Sequence, residues 1–74
     1  MNAQTITLTA ASGKTTTLNN PTPAKVVQGI QLVLEYPYPD PLFDAAAQEL
    51  AEGNTHGEEL KNLQRHMVLE VEAG

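Results

Sequence analysis

The chain has no cysteine and no tryptophan, and only three aromatic residues, Tyr36, Tyr38 and Phe43. Without cysteine there can be no disulfide, no thiolate metal site and no thiol chemistry. That composition fits a reducing compartment. Long apolar runs are missing as well. The longest apolar-rich stretch, Val26 to Leu34, is broken by Gln28, Gly29 and Gln31 and falls far short of a membrane span. Met1-Asn2-Ala3-Gln4 has no basic residue and leads into no apolar block, so no secretory leader is expected. The expectation is a soluble protein without a membrane partner, cytoplasmic, or carried in a virion if phage-encoded.

Acid is absent from the first 34 residues. Residues 1–34 carry only Lys14 and Lys25, a net +2. From Glu35 onward nine acids face Lys61 and Arg65, a net −7. Nucleic-acid binding runs on phosphate neutralisation, so the second half would repel DNA or RNA and no direct nucleic-acid partner is expected. An acidic surface also keeps a small protein in solution.

With 74 residues the chain makes one small domain. A domain of this size buries only about 60% of its unfolded surface. With no cross-link available, a partner surface is the remaining source of stability, supplied by another protein or by a second copy.

The segment Tyr36-Pro37-Tyr38-Pro39-Asp40-Pro41 divides the chain. Three alternate prolines remove three backbone donors and fix φ near −65°. The residue before each is pushed toward extended geometry. Neither a helix nor a central strand can cross this stretch. It reads as a stiff strut, residues 36–41, carrying two tyrosines.

Before it, Thr5-Ile6-Thr7-Leu8-Thr9-Ala10 alternates strictly, which marks a half-buried strand. Ser12-Gly13 is a turn signal, and Thr15-Thr16-Thr17-Leu18 resumes strand chemistry. A hairpin over 5–18 follows. A two-residue turn would put Leu18 on the wrong face, whereas a three-residue turn sets Leu8 near Leu18 or Thr16, so the odd-numbered loop is expected. Thr22-Pro23 is a helix start. Val26, Val27, Ile30, Val33 and Leu34 then share one helical face. Four β-branched residues and Gly29 argue instead for a strand. The cap and the length select a helix over 23–36.

After the strut, Asp40-Pro41 repeats the start signal, with Asp44 in the first turn. Phe43, Ala46, Ala47 and Leu50 form the apolar face, and Gly53 supplies a left-handed end, giving a helix over 41–52. Thr55-His56-Gly57-Glu58 fits a capping box opening a helix over 56–68. The short connector would return this helix antiparallel to the one before it. The last residues are expected extended or frayed, with a closing strand beside the hairpin as the rival. The fold class expected is α+β: an N-terminal β-hairpin, then two or three short helices, the last two an antiparallel pair.

Chemistry-bearing motifs are weak. Ser12-Gly13-Lys14-Thr15 is similar to the tail of a phosphate-binding loop, but the first glycine of that motif would fall at Leu8 and a strand follows instead of a helix. His56 and His66 lack the convergent partners a metal needs, and His66 has Glu70 four residues on as a helical pair. The sole serine, Ser12, sits in a turn. No catalytic, metal or cofactor site is expected, and the chain reads as non-enzymatic.

Two surfaces remain as candidates for a protein partner. Tyr36 and Tyr38 sit on a preorganised strut, and tyrosine is a frequent interface anchor. In polyproline II geometry two positions two apart do not share a face, so one should pack and the other stay available. Thr5, Thr7 and Thr9 form a strand without proline or charge, open to strand addition. The function expected is a small non-catalytic interaction or assembly protein. The short, cysteine-free, threonine-rich then acidic composition resembles that of small phage-encoded proteins, which makes a virion or assembly component the first expectation. The alternative is an acidic inhibitor, with Glu49, Glu52, Glu58, Glu59, Glu70 and Glu72 forming a face that blocks a basic, nucleic-acid-binding site on another protein.

Overall fold

The computed structural model describes residues 4–73. The order of elements is β1 (Thr5–Ala10), β2 (Thr15–Asn19), α1 (Pro23–Leu34), α2 (Pro41–Ala51), α3 (Glu58–His66) and β3 (Leu69–Ala73). The fold class is α+β. The three strands form one antiparallel sheet in the order β2-β1-β3.

The register of β1 on β2 pairs Ile6 with Leu18 and Leu8 with Thr16. Thr9 pairs with Thr15, and Gly13 in the connection takes φ +90°, a left-handed position that glycine adopts without steric cost. The loop is the odd-numbered one, because only that register keeps Ile6, Leu8 and Leu18 on one side.

Alternation sorts the sheet into two faces. Ile6, Leu8 and Ala10 are buried against the helices. Thr5, Thr7 and Thr9 lie on the opposite face with Thr15, Thr17 and Asn19. Thr7 and Thr17 share a hydroxyl hydrogen bond of 3.3 Å, and Thr9 and Thr15 one of 3.2 Å. Thr5 Oγ1 donates to Asn19 Oδ1 at 3.2 Å. Cross-strand threonine pairs of this kind stabilise a sheet by a few tenths of a kcal/mol to about 1 kcal/mol each.

Residues 23–34 are helical, which settles the choice between helix and strand. Thr22 Oγ1 accepts from the Lys25 N–H at 3.3 Å, and Pro23 opens the first turn. Val26, Gly29, Ile30 and Val33 face inward. Gly29 has a packing reason: a Cβ there would lie 3.1 Å from Leu18 Cδ1 and 3.2 Å from Leu8 Cδ1. The helix rests on the hairpin at this point. It ends at Leu34, two residues earlier than expected, because Glu35 turns left-handed with φ 55°. Tyr36 N–H then closes onto the Gln31 carbonyl at 3.0 Å.

The start of α2 follows its sequence signal: Asp40 Oδ1 accepts from the Leu42 N–H at 2.9 Å. Its end does too, with Gly53 at φ +86° and Asn54 N–H returning to the Glu49 carbonyl at 2.9 Å. Phe43, Ala46, Ala47 and Leu50 join Leu60, Leu63, Leu69 and the inner residues of β1 and α1 in one core. Each of the larger side chains, fully buried, contributes about 1.5–3 kcal/mol.

Three expectations need correction. The capping box at Thr55 does not form. The N-cap of α3 is Gly57, without a side-chain cap bond of its own, and the helix runs over 58–66 instead of 56–68. Residues 69–73 are extended, but as the paired closing strand that stood as the rival and not as a frayed tail. Leu69 is buried and Val71 half-buried, so pairing here closes the core, which a helical continuation would leave open. His66 is therefore the last residue of α3 while Glu70 belongs to β3, and the helical i,i+4 pair between them does not exist.

Candidate interaction site

The strut is held from both sides. Tyr36 packs edge-to-face on Phe43, with ring centroids 5.6 Å apart. Tyr38 packs edge-to-face on Tyr36 at 5.4 Å. Gln31 Nε2 donates to the Tyr38 carbonyl at 3.0 Å, tying the strut to α1. Phe43 is fully buried, Tyr36 is half-buried and Tyr38 is 63% exposed. The chain of rings runs from the core to solvent, so one tyrosine is packed and the other is available. Edge-to-face pairs add about 0.5–1.5 kcal/mol beyond area burial, so the exposed ring has a fixed base.

An open groove runs beside the strut along the outer side of α1, lined by Lys14, Gln28, Gln31, Leu32, Glu35 and Pro37. Leu32 is 54% exposed within it. Lys14 Nζ lies 3.8 Å from Glu35 Oε1 across its end, an exposed pair that contributes little. The Ser12-Gly13-Lys14-Thr15 motif that lies here is the hairpin connection and first residue of β2, and no helix follows it.

The second candidate changes place. Thr5, Thr7 and Thr9 are not on an edge. β1 is the central strand, with Thr7 opposite Thr17 on one side and Glu72 on the other, and Thr9 between Thr15 and Glu70. Strand addition onto β1 is blocked, because the C-terminal residues already occupy that position. Among the described residues, the unpaired margins of the sheet belong to β2 and β3. Sequence reasoning missed them because the fate of residues 69–73 decides which strand is central.

The six glutamates do not share one face. Glu70 and Glu72 stand opposite Thr9 and Thr7, on the sheet face turned away from the helices. Glu49, Glu52, Glu58 and Glu59 lie around the connection from α2 to α3. Glu49 has internal work: its Oε1 accepts from the Leu60 N–H at 2.8 Å. A carboxylate there satisfies a free amide in the first turn of α3 and complements the helix dipole.

His56 is exposed in the turn before α3, its own N–H donating to Asn54 Oδ1 at 3.0 Å, and His66 is exposed at the far end of that helix. Among the described residues no three histidine or carboxylate side chains come together as metal ligands. Among the same residues no helix is long and apolar enough to cross a membrane. No protein-family model matches the chain, and neither a curated protein nor a solved structure does.

Proposed function

We propose that this chain is a small non-catalytic protein that acts by binding another protein, as a component of a larger assembly. The observation that carries the reading is Tyr38: a large, mostly exposed ring on a proline-fixed strut, anchored through Tyr36 to Phe43. An aromatic held in place before binding loses little conformational entropy when a partner covers it. Pro37 and the groove beside it extend the contact. The phage particle suggested by composition is the proposed setting. We also infer that α2 and α3 run as an antiparallel pair, a reading supported by the reach of Glu49 in α2 to the first turn of α3.

The acidic-inhibitor reading has less support, because its glutamates fall into two groups and Glu49 is engaged within the domain. The test is a pull-down from the native host with wild type, Tyr38→Ala and Tyr36→Ala. Tyr38→Ala loses the captured protein while its thermal midpoint stays close to wild type. Tyr36→Ala lowers stability by about 1–3 kcal/mol, as expected for a half-buried aromatic in the core margin. Capture unaffected by Tyr38→Ala, or abolished by moderate salt alone, overturns the reading.

A further inference from the structure

The outer margin of β2 is built to meet itself. Ala10 N–H donates to the Lys14 carbonyl at 2.9 Å, and Asn20 N–H to the Gln4 carbonyl at 2.6 Å. Antiparallel pairs alternate between hydrogen-bonded and non-hydrogen-bonded. Counting between those two bonded ends, Thr16 and Leu18 bond to β1, while Thr15, Thr17 and Asn19 are non-bonded pairs. The N–H and C=O groups of Thr15, Thr17 and Asn19 therefore point outward, away from β1. No proline, charge or bulge lies within this margin.

Above it lies one stripe of α1. Lys25, Gln28, Leu32 and Glu35 follow one another at helical spacing, and all are exposed. Lys25 borders a groove with Thr17, Leu18, Asn19 and Asn20, at the end of β2. Gln28, Leu32 and Glu35 border a groove with Lys14, at its beginning. The helix thus runs antiparallel to the strand, with Lys25 at one end of the stripe and Glu35, whose carboxylate lies 3.8 Å from Lys14 Nζ, at the other. The midpoint of the strand is Thr17, and the midpoint of the stripe falls between Gln28 and Leu32.

We propose that the partner of this margin is a second copy of the chain, joined by β2-to-β2 pairing about a two-fold axis at Thr17. Thr17 meets the second copy's Thr17, and Thr15 meets the second copy's Asn19, each as a hydrogen-bonded pair. The sheet becomes six-stranded. The same rotation brings Lys25 to the second copy's Glu35, twice, and draws the Leu32 side chains into the shared surface. Such an isologous contact requires a self-complementary patch, which a stripe of opposite charge at its two ends provides. The β3 margin does not offer this. Two-fold pairing about Val71 would set Glu70 against the second copy's Glu72, and like charges directly opposite destabilise a sheet. The inference goes beyond the proposed function, since Tyr38 is no part of this margin and either site can fail alone.

The test is sedimentation equilibrium of the full chain from about 10 µM to about 1 mM. Wild type is expected to approach twice its 8.0 kDa mass. Thr17→Pro removes an outward N–H that β1 does not use, and should raise the dissociation constant at least about tenfold while circular dichroism stays that of wild type. Lys25→Glu and Glu35→Lys, both at exposed positions, should each associate more weakly than wild type alone and more tightly when mixed than either does alone. Wild type monomeric throughout, variants that associate like wild type, a mixture no tighter than either variant alone, or open-ended growth through β2-to-β3 contacts would each overturn the proposal.

Discussion

Glu49, near the end of α2, caps α3: its carboxylate accepts the Leu60 N–H at 2.8 Å, eleven residues away in sequence. Gly57 makes this possible. It is the buried N-cap of α3, and a Cβ there would overlap the Glu49 carboxylate. The two residues form one device, with glycine leaving the space that the carboxylate fills.

Glu49→Ala should lower stability by about 0.5–2 kcal/mol, the range for losing a helix cap, as read by urea unfolding. Gly57→Ala should cost about the same, because the methyl group displaces the carboxylate. In a Glu49→Ala background the added cost of Gly57→Ala should be close to zero. The double-mutant cycle reads that coupling directly. Additive costs would mean that the two residues act separately.

Gly29→Val should destabilise the fold by about 1–3 kcal/mol through overpacking against Leu8 and Leu18. Leu8 is fully buried and has little room to yield. Thermal unfolding checks this, and a rise in midpoint would show that α1 can lift off the hairpin.

Glu35→Gly should stabilise the monomer by about 0.5–1 kcal/mol, measured at concentrations too low for association. Glu35 holds φ 55°, where a Cβ is disfavoured and glycine is the usual occupant. The lost pair with Lys14 is exposed and subtracts little.

A chain ended at Val68 should lose cooperative unfolding, or melt far below the full chain. It lacks buried Leu69 and half-buried Val71, each contributing up to about 1.5–3 kcal/mol, and it uncovers the margin of β1. A calorimetric scan decides: an unchanged melting transition would show that β3 is dispensable.

Much of the fold was legible in short stretches of the chain. The alternation of Thr5–Ala10, the Thr22-Pro23 and Asp40-Pro41 starts, and the Gly53 end all lie where their chemistry put them. The strut also divides Tyr36 from Tyr38 by burial, as the three-residue turn of polyproline II implies. What misled was local chemistry with a distant competitor. Thr55 and Glu58 had the spacing of a capping box, yet α3 starts at Glu58 after Gly57, and the Leu60 N–H goes to Glu49. Met67 to Val71 fitted both a helical and an alternating pattern, and no neighbour in sequence could decide between them.

The amino-acid order by itself determined the elements whose signals act within one turn or one hairpin: caps, prolines, glycines and a strictly alternating strand. These are short-range steric and hydrogen-bonding effects, readable wherever the residues stand. Tertiary structure alone decided that β1 is central, that residues 69–73 seal it, and that β2 is left as a neutral open margin beneath a stripe of opposite charges. Those outcomes join residues up to 67 positions apart, Ile6 with Ala73 at the extreme. Their free energy comes from burying both partners at once, a quantity that neither segment carries alone.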